Sequence, residues 1–172
     1  MESNWVTVTI DSVRVSLVSP HRIVVLKDDD ERFLPIWIGP FEADAITIAL
    51  QGTQPARPLT HDLFKTLIAQ VGGKPQHISV TDLRDDTFFA QIVLDLGGKR
   101  VALDARPSDA IALAVRLGVD IRVDETVMAR AAIRPSQGAE DAGDHVEEKL
   151  DVFRDALQDL DLGGLGKDEP KE

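Results

Sequence analysis

Two short stretches of this sequence combine the residue types that could bind an anion or a divalent metal. Residues 56–64 read ARPLTHDLF, and residues 105–113 read ARPSDAIAL. Each stretch places an arginine and a proline ahead of a hydroxyl residue and an acid, and then continues as an apolar helical pattern. The rigid fork of donors on arginine suits phosphate, carboxylates suit Mg²⁺ or Mn²⁺, and histidine can transfer a proton near neutral pH.

The same residues also make two well-formed helix starts, which is the simpler interpretation. Thr60 and Ser108 are favourable N-cap residues, while Asp62 and Asp109 would complement the positive end of a helix. Capping leaves four residues unexplained: Arg57, His61, Asp104 and Arg106. A lone histidine at the flank of a helix is more often structural than catalytic, and an arginine close to an acid could be a plain ion pair. The sequence leaves both interpretations open.

Glu42 is the more discriminating acid, because it falls near the middle of an apolar arc. The helix predicted over residues 40–51 forms that arc from Phe41, Ala45, Ile46, Ile48, Ala49 and Leu50. A carboxylate that faces a core needs a partner or loses its charge. Glu42 could reach back to the free amides of its own helix, or it could pair with Arg57 or Arg106. In both cases Glu42→Ala should cost more stability than a surface change.

Hydrophobic periodicity predicts the elements that hold these residues in place. Strands are predicted over residues 5–18, 23–27, 32–38, 76–83, 87–96, 99–105 and 119–123. The pattern over residues 5–18 changes phase near Asp11, so this segment is either one long strand or two short ones. Four helices are predicted over residues 40–51, 60–71, 109–117 and 125–133. Pro35 predicts an edge or bulged strand, and Gly97-Gly98 predicts a hairpin. The grouping indicates an α+β fold, with helices packed on a mixed, largely antiparallel sheet.

The same periodicity predicts which side chains form the core. The helix over residues 60–71 has one apolar arc, formed by Leu63, Phe64, Leu67, Ile68 and Val71. The helix over residues 109–117 is apolar nearly all round, so it should be buried. Trp37 and the phenylalanines are expected in the core, not as surfaces on which nucleobases stack.

Composition excludes several classes of protein. The 172 residues include 43% hydrophobic residues and no cysteine, which excludes disulfides, thiolate zinc sites and cysteine nucleophiles and fits a cytoplasmic location. No apolar run approaches the roughly 18 residues that a membrane span needs, and no signal peptide is visible. Most of the net charge of −11 lies beyond residue 139, and the basic footprint of a dedicated duplex binder is missing.

The chain divides by composition into a body and a tail. Residues 1–133 form the predicted α+β domain, residues 134–145 a polar linker, and residues 146–172 an acidic tail. Within the tail, residues 146–162 have the spacing of a short amphipathic helix. Such a helix could recruit a protein partner. The predicted architecture is therefore a single compact domain followed by a helical tail.

Four ordered motifs resemble the bifunctional nuclease domain family of bacteria and plants, over roughly residues 5–133. They are LPIWIGPFEADAI (34–46), RPLTHDLFKTLI (57–68), DDTFFAQIVL (85–94) and DARPSDAIALAVRLGVDI (104–121). The resemblance implies a compact α+β domain that forms homo-oligomers, often dimers. Plant relatives are described as nucleases on RNA and DNA. Some relatives carry a helical UvrB/UvrC-type motif after the domain, but the 146–162 helix is too short for it and lacks the full pattern.

Residues and resemblance together predict a metal-dependent nuclease of low sequence specificity acting on RNA or DNA. The predicted catalytic residues are His61, Asp62, Arg106 and Asp109. The predicted substrate-binding residues are Arg57, Thr60, Arg106 and Ser108. The predicted ligands of Mg²⁺ or Mn²⁺ are Glu42, Asp62, Asp104 and Asp109. The alternative is a non-enzymatic oligomeric module that binds an anion or a protein, in which the arginine–carboxylate pairs are architectural.

Overall fold

A computed structural model describes residues 4–15 and 22–134 of the protein. The chain divides into two units, residues 1–134 and residues 135–172. The second unit lies outside the described residues. The predicted amphipathic helix over residues 146–162, and nearly all of the predicted linker, therefore remain predictions, as does a partner for that helix.

The described residues form seven strands and four helices, and each overlaps an element predicted from the sequence. The strands are β1 (Trp5–Val15), β2 (Arg22–Lys27), β3 (Phe33–Ile38), β4 (Gly73–Arg84), β5 (Thr87–Leu96), β6 (Lys99–Ala105) and β7 (Asp120–Asp124). The helices are α1 (Pro40–Leu50), α2 (Thr60–Gln70), α3 (Pro107–Leu117) and α4 (Glu125–Ala131).

The strands form one mixed sheet in the order β3-β2-β1-β7-β4-β5-β6. β4 and β7 are parallel, and every other neighbouring pair is antiparallel. The predicted mixed, largely antiparallel α+β fold is therefore confirmed. Pro35 lies in β3 at the edge of the sheet, as predicted, and the change of phase near Asp11 is a shift of register in β1.

α3 is the central helix of the core, as its sequence predicts. Seven of its eleven residues are buried, and they pack with one face of the sheet, for example with Ile78, Val80 and Ile92. Burying one large aliphatic side chain of this kind contributes roughly 2 kcal/mol to the stability of the fold. Because most of α3 is buried in the core, the position of its N-terminus is well defined.

The N-caps of two helices differ from the sequence prediction. α3 begins at Pro107 with Arg106 as its N-cap, and α2 begins at Thr60 with Leu59 as its N-cap. The predicted N-cap roles of Thr60 and Ser108 are therefore wrong. In α3 the fixed φ of proline suits the first helical position, which moves the start upstream of Ser108.

The apolar arc of α2 is exposed, which contradicts the prediction that it faces the core. Ile68 is buried, but four other side chains of the arc are 48% to 62% exposed: Leu63, Phe64, Leu67 and Val71. α2 instead turns its polar side, with His61 and Asp62, toward α3. Amphipathic spacing identifies the apolar face of a helix but not the surface that covers it.

Candidate active site

The N-termini of α1, α2 and α3 meet at one pocket of about 400 Å³. Glu42 from α1, Thr60 and His61 from α2, and Arg106 and Asp109 from α3 line this pocket. The first turn of a helix carries free amides and a partial positive charge, so three converging N-termini favour an anion. Five of the predicted site residues are thus brought together.

A chain of hydrogen bonds joins four of the ionisable residues that line the pocket. Arg106 Nη2 donates to Glu42 Oε1 at 2.9 Å, and Arg106 Nε donates to Asp109 Oδ2 at 2.7 Å. The other oxygen of Asp109 lies 3.1 Å from His61 Nε2. Arg106 is therefore held by two carboxylates, and Asp109 connects it to the imidazole.

The contact with Asp109 sets the orientation of the imidazole. Because the Asp109 carboxylate can only accept, a neutral His61 must carry its proton on Nε2 in order to donate. Nδ1 then keeps a lone pair and has no hydrogen bond to any described residue. An aspartate that fixes the histidine tautomer in this way is a common feature of acid–base sites.

Electrostatics keep both charges of the arginine–aspartate pair. Burial alone would raise the pKa of Asp109, but hydrogen bonds from Arg106 and His61 outweigh it, so the pKa is lowered from its usual value. Hydrogen bonds to Asp109 and then to Glu42 raise the pKa of Arg106. The Arg106 side chain is still 65% exposed, and its Nη1 has no hydrogen bond within the described ranges. It can therefore meet a ligand.

Glu42 pairs with Arg106 and not with the amides of its own helix. Its side chain is 17% exposed, and the start of α1 at Gly39 has no side-chain capping bond. A Cβ on residue 39 would overlap Glu42 Oε2. The absence of a side chain at Gly39 thus provides the space in which the carboxylate lies.

Arg116 is an anchor of the site that the sequence analysis missed. It is 6% exposed, and its Nε donates to Asp62 Oδ1 at 2.7 Å. Its Nη1 donates to the carbonyls of Ala45 and Ala112, each at 2.9 Å. One side chain therefore ties α1, α2 and α3 together. The available signal was an arginine on a helix that is otherwise apolar nearly all round.

Four predicted site residues lie away from this pocket. Asp62 uses one oxygen for Arg116 and the other, at 2.9 Å, for the amide of Leu59. Asp104 is exposed, and its pairing with Gln91 places it on the sheet face opposite to Ile92 and the core. Arg57 is exposed and contacts no described residue through a hydrogen bond or ion pair. Ser108 is buried and lines a separate pocket.

Two aromatic side chains next to the site are exposed, which contradicts their prediction as core residues. Phe41 is 83% exposed and lines the pocket described above. Trp37 is 61% exposed and lines a second pocket of about 260 Å³, together with Ser108. Arg106 lines both pockets. Each ring therefore lines a pocket that Arg106 also lines.

Two other features of the described residues bear on function. No group of three or more histidines and acids in residues 4–15 and 22–134 is arranged to hold a metal ion on its own. In the same part of the chain, no helix is long and apolar enough to cross a membrane.

In this α+β domain, one pocket contains a histidine, an arginine and the two carboxylates that contact them. These groups can bind an anion and transfer a proton to or from it. The chain belongs to the bifunctional nuclease domain family, whose model matches residues 24–136. The family resemblance of the sequence motifs is therefore confirmed.

Relatives of the chain occur in bacteria and plants. An uncharacterized protein of Mycobacterium tuberculosis is 37% identical over 156 residues, which cover 89% of this chain and 93% of that protein. Bifunctional nuclease 2 of Arabidopsis thaliana is 32% identical over 112 residues, which cover 62% of this chain and 34% of the plant protein. Bifunctional nuclease 1 of Oryza sativa subsp. japonica is 27% identical over 114 residues, with coverages of 63% and 34%. The chain thus matches about a third of these plant proteins.

Proposed function

We propose that this protein hydrolyses phosphodiester bonds in RNA or DNA at the pocket where α1, α2 and α3 begin. The observation that carries the proposal is the connected set Glu42–Arg106–Asp109–His61 at three helix N-termini. Membership in a nuclease family, with plant relatives named bifunctional nucleases, supports it. Low sequence specificity follows from a pocket that offers groups for phosphate and few groups for base edges.

Each residue of the set has a role in this proposal. Arg106 Nη1 binds a phosphate oxygen and stabilises the charge that develops on it. His61 Nδ1 takes a proton from the attacking water, and the water oxygen bonds to phosphorus while the bond to the leaving sugar oxygen breaks. That leaving oxygen takes a proton from solvent. Asp109 is a positioning residue that holds the imidazole. Thr60, at the first turn of α2, offers its hydroxyl to the phosphate. Arg57 lies on an exposed loop and could contact the backbone of the nucleic acid at some distance from the cleaved bond.

A divalent cation such as Mg²⁺ or Mn²⁺ fits the charge of the pocket. Three acids line it, Glu42, Asp44 and Asp109, together with one arginine and one histidine, so the acids outnumber the basic residues. Mg²⁺ commonly binds to one or two carboxylates and takes its remaining ligands from water and substrate phosphate. Glu42 and Asp109 would hold it here. It would lower the pKa of a bound water and offset charge on the phosphate.

The direct test is cleavage of single-stranded RNA and DNA by the wild type and His61→Ala, each with Mg²⁺, Mn²⁺ or EDTA. We expect His61→Ala to be at least about 100-fold slower, the usual contribution of a general base. Asp104→Asn is the matched control, because Asp104 lies on the opposite face of the sheet. EDTA should abolish cleavage by the wild type. Equal rates for wild type and His61→Ala would indicate a contaminating nuclease and contradict the proposal.

We also propose that the protein is a homodimer or higher homo-oligomer, joined through the exposed apolar face of α2. A row of large apolar side chains along one helix is unusual on the surface of a monomer. This observation also supports the alternative function, an oligomeric module that binds an anion or a protein without catalysis. Under that alternative Arg106→Ala would lower stability sharply and change no catalytic rate.

A further inference from the structure

We propose that Phe41 and Trp37 are stacking surfaces for the unpaired bases on either side of the phosphate at Arg106. The substrate would then be single-stranded nucleic acid. This inference rests on the proposed function, because it places a phosphate at Arg106.

Exposure is the first observation. Trp37 and Phe41 are 61% and 83% exposed, in a protein with only two tryptophans, six phenylalanines and no tyrosine. Aromatic rings are mostly buried in folded domains because their burial contributes strongly to stability. Two of the few rings are instead largely exposed, and each lines a pocket that Arg106 also lines.

The position of the rings is the second observation. Phe41 lines the pocket that contains His61 and Asp109, and Trp37 lines the neighbouring pocket. Arg106 lines both pockets, and its side chain is 65% exposed. Trp37 is the second-to-last residue of β3 and Phe41 is the second residue of α1, so the chain between them spans at most about 14 Å. A few nucleotides of one strand can reach both rings.

The chemistry of the two pockets suits a strand with splayed bases. Every nucleobase has a π face, so aromatic platforms bind single strands with little sequence preference. The second pocket adds the hydroxyl of Thr87, which can bind sugar or base atoms. In a duplex the base faces are already stacked and cannot reach either ring. The geometry therefore favours single strands over duplexes.

The test measures binding without cleavage, in the His61→Ala background with EDTA. Fluorescence anisotropy of a labelled ten-nucleotide DNA strand gives Kd for that protein and for the added changes Phe41→Ala and Trp37→Ala. We expect about tenfold weaker binding for each ring removed, within the range that base–aromatic stacking supplies. A hairpin duplex with the same number of phosphates should bind more weakly and respond little to either change.

Leu50→Ala is the matched control, since Leu50 is an exposed apolar residue at the far end of the same helix. It should leave Kd unchanged. A second readout uses Trp5→Phe, which leaves Trp37 as the only tryptophan. Its fluorescence should be quenched by the single strand and not by the duplex. Thermal melting and elution volume must stay the same in all variants.

Two outcomes would overturn the inference. One is an unchanged Kd for both ring variants, with no quenching of Trp37. The other is a shift in elution volume for Phe41→Ala with no change in Kd, which would assign Phe41 to contact between copies of the chain. Either result leaves the proposed function standing if the wild type still cleaves and His61→Ala does not. Conversely, the ring variants could bind more weakly while the wild type cleaves nothing. That result would support base stacking on Phe41 and Trp37 and contradict the proposed hydrolysis.

Discussion

At the residue scale, Gly39 leaves the space that the Glu42 carboxylate occupies when it contacts Arg106. Its backbone, with φ −73° and ψ 161°, is open to any residue. The constraint comes from Glu42, because a Cβ on residue 39 would overlap its Oε2. The colliding atom is the end of a flexible side chain, so the carboxylate can move away at little cost. It would then lose its contact with Arg106.

Gly39→Ala should therefore reduce activity more than stability. We expect the free energy of unfolding to change by less than about 1 kcal/mol, and cleavage of single-stranded RNA to slow as it does in Glu42→Gln. Urea melts and initial rates measure the two effects. Because both changes disturb one contact, the double variant should lose little more than either single variant. Fully additive losses, or wild-type activity in Gly39→Ala, would show that the Glu42–Arg106 contact does not matter.

The sequence predicted part of this site at the residue scale. Helical spacing placed Glu42 on a core-facing stripe, which is why a pairing with Arg106 was among the expectations. Spacing could not separate Asp104 from Asp109, because the opposite faces of a sheet become known only with the strand register. It also missed Arg116, whose three acceptors belong to different helices.

At the element scale, α2 is attached to the domain largely by polar contacts. Its apolar face is exposed, and Ile68 is its one buried residue in the described structure. Asp62 accepts from the amide of Leu59 and from Arg116, and Lys65 Nζ donates to the carbonyl of Arg116 at 2.7 Å. The position of His61 in the pocket therefore depends on the charge of Asp62.

Low pH should weaken the contacts of Asp62 that hold α2 on the domain. The bond from the Leu59 amide lowers the pKa of Asp62, and Arg116 adds to that effect against the cost of burial. Because the pKa of Asp62 is lower in the folded state than in the unfolded state, its carboxylate stabilises the fold at pH values above its unfolded pKa of about 3.9. This stabilisation is lost as the pH falls through the pKa of the folded state. Asp62→Asn should be less stable than wild type by about 2 kcal/mol at pH 7. The difference should shrink below about pH 4.

Urea melts at several pH values between 7 and 3 measure this difference. Asp104→Asn is the control, because Asp104 is exposed and has no partner among the described residues. Its stability should follow the wild type at every pH. A gap between Asp62→Asn and wild type that stays constant down to pH 3 would mean that the charge of Asp62 does not anchor α2.

At the scale of the whole molecule, local pattern predicted the elements but not their arrangement. Alternation and helical periodicity identified all seven strands and all four helices of the described residues. The order of the sheet was not predictable, because β7 inserts between β1 and β4 through pairings far apart in sequence. The exposed face of α2 was missed for a related reason. Periodicity shows that a helix has an apolar face, and the three-dimensional arrangement decides whether the same chain covers it.

The exposed face of α2 leads to a prediction about assembly. Stable interfaces bury roughly 800 Å² per partner around an apolar centre, and Leu63 and Leu67 lie one helical turn apart at the middle of the exposed row. Two copies related by a two-fold axis can present this same face to each other. We therefore expect the wild type to elute as a dimer or larger oligomer, and Leu63→Lys/Leu67→Lys to elute as a monomer.

Light scattering coupled to size-exclusion chromatography measures the mass of each protein directly. Both leucines are exposed in the isolated chain, so the double change should leave the fold of the monomer intact, as circular dichroism can check. Leu50→Lys alters a residue of similar exposure on α1 and should keep the wild-type mass. A monomeric wild type, or an unchanged mass in the double variant, would contradict assembly through α2. Because α2 also carries His61, a folded monomer that cleaves more slowly than wild type would show that assembly supports the geometry of the pocket.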